Sequence, residues 1–102
     1  MDDLKLTRAD DSDLTRLRVE GSLDANTAPE LREVIEAVIE AKRMRVQVDC
    51  SALRLIDSSG VGALVALYKR LKQYGGSLQI LGLRDQPLAI LKLLRLDRIL
   101  GT

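Results

Sequence analysis

Alternation of apolar and polar residues near the N-terminus predicts a β-hairpin. Leu4 and Leu6 alternate with polar neighbours, and after a polar run the alternation resumes at Leu17 and Val19. Side chains that repeat with a period of two face opposite sides of a strand, so each run predicts a strand with one apolar face. The polar run between them, residues 10–13, predicts the turn of the hairpin.

An amphipathic helix is predicted next. Residues 21–26 interrupt the alternation and predict a loop. Thr27 and Glu30 have the spacing of a capping box, so we expect the helix to begin there and to end around residues 41–43. Its apolar stripe repeats every three or four residues. The stripe consists of Leu31, Val34, Ile35, Val38 and Ile39.

Strand and helix patterns continue to alternate in the second half of the chain. Residues 45–50 repeat with a period of two and predict a strand, and the tetrad Asp57-Ser58-Ser59-Gly60 introduces a helix that ends at Gly75-Gly76. Residues 77–83 predict a buried strand. A third helix is expected to open at residues 85–87, with Leu88, Leu91 and Leu94 on its apolar face. This alternation predicts an α/β fold with parallel β–α–β units.

Composition favours one folded domain. The chain has 102 residues, of which 46% are hydrophobic and 30% are charged, with a net charge of +1. That apolar fraction is sufficient for a core, and the length suits a single domain. The acidic N-terminus does not resemble a secretory signal, and uncharged stretches are too short for a membrane-spanning helix. We therefore expect a cytoplasmic protein with no membrane contact.

Absent residue types exclude several kinds of chemistry. The chain has no His and a single Cys, so it forms no intrachain disulfide, no His-containing zinc set and no Ser-His or Cys-His pair. Only two aromatic residues are present, too few for a base-stacking platform. Cys50 is expected to be a small buried hydrophobe rather than a reactive thiol. We predict no enzyme activity, no cofactor, no metal and no direct nucleic-acid binding.

The tetrad is the feature most open to a functional interpretation. Ser58 or Ser59 is a natural cap for the following helix, because hydroxyl groups accept hydrogen bonds from free N–H groups at a helix start. The same N–H groups can also hold a phosphate. A phosphoserine would add charge beside Asp57 and repel a docked partner. The tetrad lacks the Lys and the glycine spacing of a nucleotide-phosphate loop.

Three ordered segments carry a more specific signal. They are Leu23-Asp24-Ala25-Asn26-Thr27-Ala28-Pro29-Glu30-Leu31, Ile56-Asp57-Ser58-Ser59-Gly60-Val61-Gly62 and Tyr68-Lys69 through Gly75-Gly76. Together with Leu96-Asp97-Arg98-Ile99 they resemble the STAS domain, found in sulphate transporters and anti-sigma factor antagonists. The resemblance is closest to the small stand-alone antagonists and covers nearly the whole chain.

This resemblance implies a fold and a regulatory cycle. The fold is a mixed sheet of about four to five strands packed with amphipathic helices. In the cycle, the unphosphorylated antagonist binds an anti-sigma factor, typically a serine kinase, and releases its sigma factor. The kinase then phosphorylates and ejects the antagonist, and a PP2C-type phosphatase resets it. Any homodimer is expected to be weak.

Roles for individual residues follow from the same resemblance. The phospho-acceptor is Ser58, and Asp57 shapes the kinase-facing surface. Ser59 caps the helix or assists, and Gly60 permits close approach of the partner backbone. Asp24 and Asn26, in the adjacent loop, are further partner-binding candidates.

Other functions remain open on the same fold. One alternative is a subunit of a stressosome-type scaffold, and another is an accessory subunit of a transport complex that binds without phosphorylation. A small nucleotide hydrolase is disfavoured, because no general base, metal cluster or phosphate loop is evident. Stand-alone antagonists commonly continue into a final strand and helix. We expect residues 1–102 to form a single STAS domain that lacks that last strand and helix.

Overall fold

The period-two runs form strands and the three- and four-residue repeats form helices, as predicted. The structure is a computed structural model that describes residues 3–100. Its strands and helices in chain order are β1 (Leu4–Asp11), β2 (Leu14–Leu23), α1 (Ala28–Glu40), β3 (Arg45–Ile56), α2 (Ser58–Gln73), β4 (Ser77–Leu81) and α3 (Asp85–Leu93).

The sheet is mixed and its strands lie in sequence order, β1-β2-β3-β4. The hairpin strands β1 and β2 are antiparallel, whereas β3 is parallel to both β2 and β4. Helices α1 and α2 therefore lie in the two crossover connections, which confirms the predicted β–α–β units. Because β2 and β3 are parallel, their C-terminal ends, Leu23 and Ile56, pair at one edge of the sheet.

One hydrophobic core fills the space between the helices and one face of the sheet. A fully buried aliphatic side chain contributes about 1.5–3 kcal/mol, so these residues dominate stability. The buried apolar residues of the sheet include Leu17, Val19, Val46, Val48, Cys50 and Ile80, and those of α1 and α2 include Leu31, Ile35, Val38, Leu64, Leu67 and Leu71.

Cys50 is buried in this core, as expected for a small apolar residue. Burial raises the pKa of its thiol to about 12, and the neighbouring Asp49 carboxylate adds to the shift. The thiol is therefore protonated at neutral pH and is a weak nucleophile.

Two strands are longer than the alternation predicts. Strand β2 continues through Gly21 to Leu23, and β3 continues from Cys50 to Ile56. Register shifts interrupt the β2–β3 ladder between Arg18 and Glu20 and between Gly21 and Ser22. An extra residue in a strand reverses the face of every later side chain, so the period-two pattern is lost while the pairing continues.

The C-terminal ends of α1 and α2 agree with the predictions. Helix α1 ends at Glu40, next to the expected range. At the end of α2 the Gly76 N–H donates to the Leu71 carbonyl at 2.8 Å, and Gly75, at φ 84°, donates to Lys72 at 3.3 Å. This is a Schellman motif, which needs a residue in the left-handed region.

The predicted capping box of α1 does not form. Thr27 is the N-cap residue, but its hydroxyl makes no cap hydrogen bond. It accepts instead from the Asp24 N–H at 2.9 Å and lies 2.8 Å from the Ser22 carbonyl. The hydroxyl therefore stabilises the preceding loop and does not cap the helix.

The C-terminal elements are shorter than predicted. Strand β4 ends at Leu81 and α3 at Leu93. Leu91 is buried as expected, but Leu94 follows the end of the helix and is exposed. Within residues 3–100, no helix is both long and apolar enough to cross a membrane.

Acid should destabilise this fold partly through Asp49. The Ser51 N–H, which donates to the carboxylate at 2.9 Å, and Arg18 hold the pKa of Asp49 below its ordinary 3.8. A carboxyl whose pKa is lower in the folded state stabilises it above the unfolded pKa, and this contribution is lost as pH falls through the folded pKa. We expect the free energy of unfolding, measured by urea titration, to fall as the pH drops below about 4, and to fall less steeply in Asp49→Asn.

Asp11→Asn is the matched control, since Asp11 is exposed and has no ion-pair partner within residues 3–100. It should retain the wild-type dependence on pH. Identical acid profiles for wild type and Asp49→Asn would contradict the assignment to Asp49.

Candidate functional site

The loop after β2 and the start of α2 lie side by side. Both follow strand ends that pair in the parallel ladder, Leu23 with Ile56. The Asp57 N–H extends this pairing by donating to the Leu23 carbonyl at 3.1 Å. The two segments that carry the predicted site residues, residues 22–27 and 57–60, are therefore neighbours in space.

Asp57 holds these two segments together through its carboxylate. One oxygen, Oδ1, accepts from the N–H groups of Ser59 at 2.8 Å and Gly60 at 3.2 Å. The other, Oδ2, accepts from the N–H of Ala25 at 3.3 Å across the sheet edge. Asp57 is thus both the N-cap of α2 and the link to the neighbouring loop.

The expectation that Ser58 or Ser59 caps the helix is wrong. Both serines lie within the first turn of α2, and the cap is the Asp57 carboxylate. An Asp at the N-cap combines the hydrogen bond with a favourable interaction with the helix dipole. The Ser58 side chain is exposed and its hydroxyl has no hydrogen-bond partner within residues 3–100, whereas Ser59 is half-buried. The hydroxyl at position 58 is therefore accessible.

Gly60 is needed for packing within the chain, and its expected role in partner approach stays a prediction. It is buried, and a Cβ at this position would lie 2.7 Å from both Ile56 Cγ1 and Leu23 Cγ. Real side chains do not approach so closely. The absent side chain allows α2 to pack against the ends of β2 and β3.

Asp24 shapes the neighbouring loop. Its Oδ1 accepts from the N–H groups of Asn26 at 2.9 Å and Thr27 at 3.1 Å, and its carbonyl accepts from the Ala28 N–H at 2.7 Å. Asp24 is half-buried, while Asn26 is exposed and its side chain has no partner in the described chain. Asp24 therefore orders the loop, and Asn26 presents its side chain to solvent.

The geometry adds two residues that the sequence analysis missed. Leu55 is 51% exposed and borders a shallow cleft of about 250 Å³ together with Asp24, Asp57 and Gln86. The side-chain amide of Gln86 makes two hydrogen bonds to the backbone of Ile56. It accepts from the Ile56 N–H and donates to the Ile56 carbonyl, each at 2.9 Å. The sequence does indicate Leu55. Leu55 and Ile56 are adjacent apolar residues at the end of a strand, so their side chains face opposite sides of the sheet and only one of them can face the core. Gln86 carries no comparable signal.

A basic side chain reaches the same helix from α1. Arg32 Nη2 lies 3.6 Å from the point that a Cβ on Gly62 would occupy. Ser58 and Gly62 are four residues apart and therefore lie on one face of α2. Arg32 is exposed and has no acidic partner in the described part of the chain.

Chemically, the site is an accessible hydroxyl bordered by two structural carboxylates and one exposed leucine. Within residues 3–100, no three His, Cys, Asp or Glu side chains are grouped to hold a metal ion. The arrangement suits a group that receives a modification and a surface that contacts another protein.

Three comparisons with known proteins all match this chain to STAS domains or anti-sigma factor antagonists. The family described as "Mlab, STAS domain" matches residues 6–101. The anti-sigma-B factor antagonist of Listeria monocytogenes is 29% identical over 90 residues, which cover 88% of this chain and 79% of that protein. The crystal structure of an anti-sigma factor antagonist from Mycobacterium paratuberculosis is 26% identical, with a TM-score of 0.80 over 94% of this chain and 81% of that one.

The fold is also shared with the Bacillus cell fate determinant SpoIIAA, whose structure is known in the phosphorylated form. That structure is 20% identical, with a TM-score of 0.69, and covers 94% of this chain and 86% of the other. At this identity the likeness concerns the fold alone.

Substitution of Gly60 should distinguish a packing role from a conformational one. Gly60→Ala places a Cβ against Ile56 and Leu23, and we expect it to lower the free energy of unfolding by about 1–3 kcal/mol. Gly62→Ala is the matched control, because its Cβ meets only Arg32 at 3.6 Å. Alanine is the better helix former, so this variant should gain about 0.5–1 kcal/mol in urea titrations. Equal stabilities for the two variants would contradict the packing role.

Proposed function

Because the chain belongs to the STAS family, we propose that it is an anti-sigma factor antagonist controlled by phosphorylation of Ser58. In this proposal the unphosphorylated protein binds an anti-sigma factor that is also a serine kinase, and thereby frees the sigma factor. The single observation that carries the proposal is the exposed hydroxyl of Ser58, which has no hydrogen-bond partner within residues 3–100 and lies beside a second loop on the same edge.

Ser58 suits the acceptor role better than Ser59. A kinase must bring the acceptor oxygen in line with the terminal phosphate of ATP, which requires an accessible hydroxyl. Ser58 is exposed, whereas Ser59 is half-buried and its N–H is bound by the Asp57 carboxylate. In the transfer, Ser58 Oγ bonds to phosphorus, its proton passes to a base on the kinase, and ADP leaves. A PP2C-type phosphatase would hydrolyse the ester and release phosphate.

Phosphorylation can act here without refolding the domain. A phosphate on Ser58 would lie at the start of a 16-residue helix, where the helix dipole favours an anion. Arg32 lies on the same side of α2 and would face the phosphate. The cap hydrogen bonds of Asp57 involve other atoms and remain in place.

Repulsion at the interface is the proposed cause of release. A phosphate adds about −1.5 to −2 charges next to Asp57, and Asp24 already lies in the same cleft. A partner that fits the neutral hydroxyl would meet this added charge and its hydration shell. The switch is thus electrostatic and steric at the surface, with Asn26 and Leu55 as further contacts of the bound state.

The phosphorylation switch is tested by pull-down from native lysate with wild-type, Ser58→Ala and Ser58→Asp baits. Wild type and Ser58→Ala should capture a kinase-like anti-sigma factor, identified by mass spectrometry, because both lack charge at position 58. Ser58→Asp should lose it, with affinity for the purified partner at least about tenfold lower.

Ser59→Asp is the matched control, as it adds the same charge one residue away. It should retain more binding than Ser58→Asp. Equal partner affinity of Ser58→Ala and Ser58→Asp would refute the switch, and capture of transporter or scaffold subunits by every bait would favour the alternatives without phosphorylation.

Leu55 should be an anchor of the same interface. Exposed apolar side chains beside a polar site often carry a large share of binding energy. We expect Leu55→Ala to weaken partner binding about tenfold, measured by calorimetry, with little loss of stability. Leu93→Ala, at the far end of α3 and 77% exposed, should bind as wild type. Equal losses in both variants would show that Leu55 has no specific role.

A further inference from the structure

The face of the sheet away from the core carries a groove that the proposed switch does not use. Thr7 and Ala9 of β1 point to this face, as do Arg18 and Arg16, which pair with them in β2. On the neighbouring strand β3, Asp49 lies opposite Arg18 and Gln47 lies opposite Arg16. The side chains thus form two rows that cross the strands.

A groove of about 320 Å³ lies among these residues. Thr7 and Ala9 have short side chains, and Leu81 of β4 contributes an apolar wall. The neighbouring arginines line it as well, and arginine presents an aliphatic stem below its charged end. The volume lies in the range of small-molecule sites and is too small for a helix.

Hydrogen bonds and ion pairs hold the walls of the groove in place. Arg18 contacts Asp49 at 3.2 Å and Glu20 at 3.7 Å. Gln47 donates to the Gln79 side chain at 3.2 Å on the adjacent strand. Side chains on paired strands that also bond to one another lose little further entropy when a ligand binds.

One positive charge at the groove is uncompensated. Arg18 and Asp49 neutralise each other, and the pKa of Asp49 is lowered, so this pair stays ionised near neutral pH. Arg16 lines the groove, is exposed, and has no acidic partner within residues 3–100. The lining residues therefore combine apolar walls with a net charge of one positive unit.

We propose that this groove binds a monoanionic amphiphile, an unbranched aliphatic carboxylate whose chain lies over Thr7, Ala9 and Leu81 and whose carboxylate pairs with Arg16. A guanidinium is the side chain best suited to bidentate recognition of a carboxylate. Asp49 precedes the end of β3 by seven residues, so the groove lies roughly 20 Å along the strand from the tetrad. The site is therefore independent of the proposed switch.

Decanoate, titrated below its micelle concentration into ¹⁵N-labelled protein, tests the proposal directly. We expect saturable binding with a Kd of about 0.1–1 mM, and shifts of amide signals confined to Thr7, Ala9, Gln47 and their neighbours. This wild-type map locates the ligand without any substitution. Shifts that scatter over the surface or centre on α3 would overturn the site.

Charge recognition is tested with Arg16→Gln and its matched control Lys5→Gln. Lys5 lies on the same face of β1 but does not line the groove. Arg16→Gln should weaken decanoate binding about fivefold, and Lys5→Gln should leave it within about twofold. Equal weakening by both, or equally tight binding of decanol to wild type, would overturn the specific role of Arg16.

Ala9→Ile tests the apolar part of the groove. Isoleucine suits an exposed strand position, so the variant should fold, and its branched side chain fills the space beside Thr7. We expect its decanoate affinity to fall at least about tenfold, with an otherwise unchanged amide spectrum. Wild-type affinity in this variant would place the ligand elsewhere and overturn the proposal.

Discussion

Three hydrogen bonds to one carboxylate determine how the loop after β2 and the start of α2 are arranged. Asp57 accepts two N–H groups from the first turn of α2 and one from the loop that follows β2. The N–H groups at a helix start have no partner within the helix, and a side-chain cap of this kind contributes about 0.5–2 kcal/mol. One side chain thus satisfies two segments that are more than thirty residues apart in sequence.

This bridge depends on the parallel pairing of β2 and β3. Only parallel strands bring two C-terminal ends to one edge, and the pairing of Leu23 with Ile56 sets how far each strand extends before the chain turns. Gly60 then allows α2 to start close against both strands. The carboxylate, the strand ends and the missing side chain together place the exposed serine at this edge.

The sequence predicts the large features of this fold because they follow from burial over many residues. The helical stripe from Leu31 to Ile39 keeps one periodicity and one buried face. The same holds for the strand alternation around Leu17 and around Val48. Local chemistry is harder to predict. Asp57 and Ser58 are both good caps by composition, and only the geometry of the strand end decides between them.

Competition between hydrogen bonds explains the other differences. Thr27 has the spacing of a capping box with Glu30, yet its hydroxyl accepts from the Asp24 N–H and donates to the Ser22 carbonyl and so makes no cap hydrogen bond. The ends of β2 and β3 were missed because register shifts break the period of two without ending the ladder. Leu55 follows from the sequence once the length of β3 is known, whereas the contact of Gln86 depends on where α3 docks.

Because Asp57 caps the helix, the hydroxyl at position 58 is not needed for the cap, and it makes no hydrogen bond within residues 3–100. Under the proposed phosphorylation switch, natural selection can therefore act on that side chain for regulation without changing the helix cap. A gene duplicate that lost the serine would still encode a folded domain, free to acquire a constitutive partner. Stability and the proposed signalling can diverge separately in such a lineage, since they depend on two adjacent but different residues.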